Sequence, residues 1–376
     1  MRKFKSWRNL LRKKQNDWGL CRSKNKPFMV FFCTILLYIA YRTTKFQLSQ
    51  TKSFKGLKGL PYGIIEAKSD LELKPLWASS SSKLKANATF PHYLLAMPVG
   101  LKMKHNVNTI VRKFIRENFT IILFHYDGHV DGWWDLKWCS KAVHIAALNQ
   151  TKWWFAKRFL HPAAVSIYDY VFLWDEDVGV QHFHPRRYLD IVKKEGLEIS
   201  QPALDPNSTD IHHRITQRKR KHVFHRRVYD DKGSVKCTKD SEGPPCTGFV
   251  EGMAPVFSRT AWHCAWHLIQ NDLVHGWGMD MKLGYCAQGM KNVGIIDSEY
   301  IFHHGIPTLG GPAKKGSDIV KIKKHQGLDM RTHIRRQSTV DLEVFKKRWE
   351  KAIKADKNWV DPFFKHKQAP PPSLHS

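Results

Sequence analysis

Tyr170-Val171-Phe172-Leu173-Trp174-Asp175-Glu176-Asp177 is the stretch that decides how this chain is read. Its apolar half, with aromatic and β-branched residues, suits a buried strand, and the acids end it abruptly. In open α/β folds the carboxyl end of a strand faces the ligand crevice, so these acids fall where a ligand binds. Adjacent carboxylates repel one another. On an extended chain, residues two apart point to one side, which turns Asp175 and Asp177 together toward a hard cation that neutralises them. A solvated acidic loop is the plainer alternative, and the abutting strand weighs against it.

Outward from this stretch the chain alternates between strand and helix patterns. Tyr93 to Gly100 is a short apolar run closed by Pro98 and Gly100, and a helix-like stretch from Ile110 to Arg116 follows. A strand from Phe119 to Phe124 stops at Tyr126-Asp127-Gly128. Thr151 is placed to cap a helix through Phe159 that turns Trp153, Trp154 and Phe155 inward and ends before His161-Pro162. Pro185 suits a first helical position, Tyr188, Leu189 and Val192 share a face, and Gly196 is a natural stop. Such alternation predicts an α/β fold with a mainly parallel, doubly wound sheet.

The ends of the chain add a topology. The formal net charge is +29, which on its own suggests nucleic acid or an anionic surface. Much of that charge crowds the amino terminus, from Arg2 through Lys26, directly before an apolar segment from Pro27 to Tyr41. That order matches a membrane anchor with its basic flank in the cytosol. A helix of this length rises only about 22 Å against a hydrocarbon core of about 27 to 30 Å, so Lys26 and Arg42 must snorkel or the membrane be thin. A cleaved signal peptide and a buried helix are the rivals; the long basic region and Tyr38 and Tyr41 near the segment's end favour the anchor. The expected organisation is a cytosolic basic tail (1–26), a transmembrane signal anchor (27–41), a Lys-, Gly- and Ser-rich stem (42–85), a lumenal α/β domain (86–345) and a helix end with a disordered tail (346–376). This makes a single-pass type II protein of the endoplasmic reticulum or Golgi, with no nucleic acid among its partners.

Asn87, Asn118, Asn149 and Asn207 begin glycosylation sequons that such a topology permits. Cys139, Cys237, Cys246, Cys264 and Cys286 would then share an oxidising compartment, an odd number that leaves one over. Cys237 and Cys246 flank a polar stretch rich in Gly and Pro, which predicts a local disulfide. Zinc is disfavoured, since no Cys-x-x-Cys or His-Glu-x-x-His occurs. Between His212 and Arg227, arginines and lysines alternate with histidines; behind a membrane this reads as a solvated loop near an anionic ligand.

Further segments bear on the triplet. His275-Gly276-Trp277-Gly278-Met279-Asp280 is a glycine-flanked turn that lets backbone approach a ligand, with Asp280 at the start of a helix. Asp280 is also explained as a simple helix cap. Asp297-Ser298-Glu299 and His303-His304-Gly305 lie around a strand-like Tyr300-Ile301-Phe302. Together with Asp175-Glu176-Asp177, these residues resemble the nucleotide-sugar glycosyltransferases of the A-type, Rossmann-like fold, with their acid-any-acid motif, downstream acid and late histidine. From about Tyr93 to Leu309 the chain is also similar to a plant family labelled lysine-ketoglutarate-reductase trans-splicing related. That similarity is carried by Phe172 to Asp177, Gly252-Met253-Ala254-Pro255 and His303-His304-Gly305-Ile306-Pro307-Thr308-Leu309-Gly310. Its label implies no chemistry visible in the residues.

The glycosyltransferase resemblance implies a metal-dependent transfer from a nucleotide-sugar donor to a glycan or glycoprotein acceptor. Mn²⁺ or Mg²⁺ would be held by Asp177, Asp175 and His303, with His304 in reserve. Asp175 would also hold the donor ribose, Pro98, Gly100 and Asp127 would face the nucleotide base, and Asp280 would be the general base, ahead of Glu251 and Glu299. Two rivals remain. One is a phosphohydrolase of the haloacid-dehalogenase type, whose later Gly-Asp-x-x-x-Asp motif is missing here; the other is a non-catalytic, membrane-tethered binder of acidic polysaccharide.

Overall fold

The computed structural model describes residues 26–53, 59–65, 92–209, 211–230, 232, 235–306 and 330–363. The chain forms two compact units, residues 1–56 and 57–376. In the first, helix α1 (Lys26–Ser53) contains the whole apolar segment, with Met29 to Ile39 and Tyr41 largely exposed along it. Thr34, Thr43 and Thr44 turn their hydroxyls back onto helix carbonyls. Among the described residues no helix is long and apolar enough to cross a membrane, because the uncharged stretch of α1 gives way to Arg42 and Lys45. The basic tail before Lys26 lies outside the described residues.

The second unit is mixed α/β. Its elements run β1 (Tyr93–Val99), α2 (Lys104–Ile115), β2 (Phe119–His125), β3 (Val143–Ala146), α3 (Lys152–Phe159), β4 (Tyr170–Leu173), β5 (Val178–Gly179), α4 (Pro185–Lys194) and β6 (Ile199–Leu204). Then follow β7 (Phe224–His225), β8 (Val256–Ser258), α5 (Arg259–Leu268), α6 (Asp280–Leu283), β9 (Val293–His303) and α7 (Met330–Ala355). The sheet order is β3-β2-β1-β4-β8-β6-β9-β5, with β7 also on β9. The β3-β2-β1-β4 half is parallel, as expected. β8 then runs antiparallel to β4 and β6, and β5 and β7 run antiparallel to β9, while β6 and β9 are parallel. The sheet is therefore more mixed than the expected doubly wound form.

Period-two alternation sends successive strand residues to opposite faces. Ile121 and Leu123 meet Val107, Ile110, Val111 and Phe114 of α2, and Tyr188, Leu189 and Val192 of α4 join the same core. On the other face Phe124 stacks on Phe155 of α3 at 4.8 Å, and Phe257 meets Trp262 of α5 at 5.3 Å. Helices thus cover both faces. Local signals behave as their chemistry requires: the Thr151 hydroxyl accepts from Trp154 N, Pro185 opens α4, and Gly196 ends it with a φ of 63° that only glycine adopts freely.

Two expectations about organisation change. Within the stem, residues 59–65 pack into the fold: Leu60 and Ile64 are buried, Trp359 Nε1 donates to Gly59 O at 3.1 Å, and Gln270 Nε2 donates to Ile64 O at 3.0 Å. The boundary placed after residue 345 falls inside α7, whose Phe345, Trp349 and Ala352 are all buried. Cys237 pairs with Cys246 as expected, and Cys264 pairs with Cys286, which leaves Cys139 as the buried free thiol. Asn118, Asn149 and Asn207 are exposed; Asn87 lies outside the described residues.

Candidate active site

Strand β4 delivers the triplet to the carboxyl edge of the sheet, and the three acids part company there. Glu176, only 3% exposed, points back under the first loop. Its Oε2 accepts from Gly100 N at 2.8 Å and its Oε1 accepts from the Tyr126 hydroxyl. Asn106 Nδ2 holds the backbone on either side through Glu176 O (2.5 Å) and Val178 O (3.0 Å). Burial pushes the Glu176 carboxyl up to about 8 despite these donors. Next to it, Asp127 accepts from Leu101 N at 2.7 Å and from His129 N at 3.1 Å. The first-strand turn and Asp127, expected at a nucleotide base, are indeed together, but the Asp127 carboxylate braces the loop. Gly100 is needed because a Cβ there would press on the Tyr126 ring at 2.5 to 3.0 Å.

Asp175 and Asp177 part from Glu176 at a turn beyond β4 rather than on extended chain, Asp175 toward the start of α3 and Asp177 toward the end of β9. Lys152, buried at the start of α3, donates to Asp175 Oδ1 at 2.6 Å and to Gly252 O at 2.5 Å. Burial pushes Asp175 up against the pull of Lys152, and the charge of Asp177 adds to the rise. Asp177 differs. Burial opposes its charge, yet hydrogen bonding from His303, the His303 charge and the Ile306 N–H together hold its carboxyl below the usual range. His303 Nε2 lies 3.4 Å from Asp177 Oδ2, Ile306 N donates to that oxygen at 3.1 Å, and His304 N donates to Asp177 O at 3.0 Å. His304 thus serves through its backbone, and its ring packs against Phe302.

Glu251 and Asp280 complete the group. Glu251 leads into β8 and is 7% exposed; its N–H is accepted by Gln201 Oε1 at 2.5 Å, and its Oε2 meets the Thr216 hydroxyl only at 3.5 Å. Burial pushes it up to about 7, helped by Asp280 and Asp175 and opposed by His303. Asp280 opens α6 and accepts from Met281 N at 2.8 Å; burial pushes it up to about 6. Five ionisable side chains, Asp175, Asp177, Glu251, Asp280 and His303, therefore feel one another's charge at this edge. Among the described residues no three His, Cys, Asp or Glu side chains converge as a metal cage.

Other expected residues lie elsewhere in the fold. Glu299 accepts from His184 N at 2.7 Å and pairs with Arg187 at 2.8 Å, so it fastens the start of α4. Asp297 is fully buried against His225 Nδ1 (2.7 Å) and Lys219 N (2.6 Å). The basic stretch is largely engaged: Arg214 pairs with Asp230, Arg218 lies 3.6 Å over the Tyr300 ring, and Arg226 and Arg227 donate to carbonyls. Sequence reasoning missed Lys152. A lysine in a first helical turn opposes the helix dipole, and that misfit was a readable sign that a carboxylate compensates it.

Fold and site together define a mixed α/β protein with an acidic, histidine-edged site where its strands end. Residues 51–355 match the family described as "Protein of unknown function (DUF707)", and the chain belongs to that family. No curated protein matches it. Solved structures similar to it include residues 1–349 of S. aureus TarS, at 8% identity and TM-score 0.35, covering 56% of this chain and 60% of that one. A longer TarS structure shares 10% identity at TM-score 0.34, over 56% of this chain and 36% of that one. The mannosyltransferase Ktr4p from S. cerevisiae shares 10% identity at TM-score 0.22, over 30% of this chain and 40% of that one. The chain spans less than two thirds of each, and the functional argument rests on the side chains.

Proposed function

We propose that the chain is a metal-dependent glycosyltransferase that moves a sugar from a nucleotide-sugar donor to a glycan or glycoprotein acceptor. The observation that carries this reading is the grouping at the sheet edge of a carboxylate held ionised, Asp177, with two carboxyls held near neutrality, Asp280 and Glu251. Environments that push carboxyl groups apart separate their roles.

Asp177 and His303 fit a divalent cation. Their 3.4 Å contact would give way to the ion, and Mg²⁺ is commonly held by one or two carboxylates with substrate phosphates and water rather than by a protein cage. When bound there, Mn²⁺ or Mg²⁺ supplies positive charge to offset that of a diphosphate leaving group. Asp175, already paired with Lys152, is left to orient the donor ribose. Asp280, ionised above about 6, accepts the acceptor hydroxyl's proton, while Glu251, at about 7, stays protonated for more of the range and limits repulsion between them. A phosphohydrolase would need Asp175 as its nucleophile and a later Gly-Asp-x-x-x-Asp motif, which the sequence lacks. A polysaccharide binder would need the basic stretch free.

We place the protein in the endoplasmic reticulum or Golgi membrane with α1 as signal anchor. The basic flank, two disulfides and exposed sequon asparagines support that topology. In microsomes the disulfide-bonded unit should resist protease until detergent is added. For the activity, the full chain in mild detergent should release nucleotide from at least one nucleotide sugar, in a reaction dependent on Mn²⁺ or Mg²⁺. Release of phosphate from phosphomonoesters, with no nucleotide sugar consumed, would replace this reading with the phosphohydrolase.

A further inference from the structure

We infer that Asp341, on the C-terminal helix α7, is a positioning residue that fixes the turn carrying Asp280. The inference rests on the reading of Asp280 as the general base. The turn itself has little intrinsic stiffness: Gly276 and Gly278 both adopt positive φ, 69° and 85°, with Trp277 exposed between them. Met279 N closes it onto Gly276 O at 3.2 Å, and Asp280 follows at once. Its orientation must therefore come from its surroundings.

Those surroundings are α3 on one side and α7 on the other. A Cβ on Gly276 would lie 2.4 Å from the Trp153 ring, and one on Gly278 would lie 2.5 Å from Leu342 Cδ1, so the glycines are wedged between the two helices. At the turn's entry, His275 Nδ1 donates to Asp341 Oδ2 at 2.8 Å, with both side chains largely buried. Gln337 Nε2 donates to the other Asp341 oxygen at 2.8 Å, which fixes the carboxylate on its own helix. A charge-assisted bond so placed, immediately before a glycine hinge, determines where the hinge points. Farther out, Arg348 grips Asp272 at 2.7 and 2.6 Å; that contact anchors α7 outside the turn and provides an internal control.

The test compares Asp341→Ala, Asp341→Asn and Arg348→Gln in the full chain. The asparagine can still accept from His275 while its amide donates to Gln337 once that side chain's amide is reversed. Amide exchange across residues 274–283 should quicken about tenfold in Asp341→Ala, the loss expected for one hydrogen bond to a charged group. Turnover should fall about 10- to 100-fold, as for a modest misplacement of a catalytic group. Affinity for uridine or guanosine diphosphate with Mn²⁺ should not change, because Asp177 and His303 are untouched. Asp341→Asn should keep parental exchange and turnover, and Arg348→Gln should leave the turn protected. Parental exchange in Asp341→Ala overturns the inference, as does equal loosening by all three variants, which would mean only that α7 has detached. Should Asp341→Ala fail to fold, His275→Ala cuts the same bond from the turn's side and is read by the same criteria. If the parent consumes no nucleotide sugar, the transferase reading fails, and the exchange data still decide whether Asp341 holds the turn.

Discussion

The acids on the two sides of the triplet are treated in opposite ways. Toward β1 and β2, Glu176 and Asp127 accept from Gly100, Tyr126, Leu101 and His129 at short range, so each carboxylate ties loops together. Toward β8 and β9, among the described residues Glu251 meets the Thr216 hydroxyl at 3.5 Å, Asp280 accepts from its own helix, and Asp177 accepts from Ile306 N at 3.1 Å with His303 3.4 Å away. Crowded carboxyls whose ionisation is shifted by burial and by one another are the grouping expected of a functional site, and the proposed site is put on that side for that reason. Glu176 ties the first loop, and the proposed chemistry falls to its neighbours on either side.

The strongest way to break this comparison is to remove carboxylates from the reactive side. Asp280→Asn should lower turnover about 10²- to 10⁴-fold with nucleotide affinity intact, the usual worth of general-base assistance. In the parent, turnover should rise with pH through about 6, where Asp280 ionises, and then level off. A variant as active as the parent would move the base to Glu251.

On the structural side the expected readout is stability. Glu176→Ala takes the buried partner from both Gly100 N and the Tyr126 hydroxyl, and a buried donor left unmatched costs about 1 to 3 kcal/mol in denaturant unfolding. The same group gives a pH signature. With its carboxyl raised to about 8 in the folded chain, Glu176 binds a proton that the unfolded chain has already released above about pH 5. Its contribution is therefore present at low pH and lost as pH rises through about 8, so melting temperature should decline from about pH 5.5 to 8.5 and decline less in Glu176→Gln. An unchanged slope in that variant would show that Glu176 is not the group responsible.

Least should happen at the exposed turn of the basic stretch. Replacing Arg220 and Lys221 by serine should change stability by less than about 0.5 kcal/mol and leave turnover unchanged. Loss of activity there would revive the anionic-ligand role first read from that segment.

Much of the parallel half was legible in the sequence because its signals are local. Thr151, Pro185 and Gly196 each set a helix boundary by their own chemistry, and the apolar runs at Tyr93, Phe119 and Tyr170 are strands wherever they pair. The other half was not legible for the same reason reversed. Val256–Ser258 is too short to show a period, and β9 bears buried Asp297 and Glu299, whose partners His225 and Arg187 come from distant elements. At the site, the strand before the triplet was legible, but the acids diverge at a turn beyond β4, which strand alternation does not describe. That Glu176 would be the brace, and that Lys152 would meet Asp175, depended on tertiary approach across 50 and 23 residues of chain.

The central claim is that Asp177 and His303 hold the cation that a nucleotide requires. Calorimetry of uridine and guanosine diphosphate with and without Mn²⁺, on the parent and on Asp177→Asn, tests it most directly. The account predicts Mn²⁺-dependent binding of at least one of them to the parent and its loss in Asp177→Asn, with the fold intact by circular dichroism. Equal, Mn²⁺-independent affinity in both proteins would contradict it.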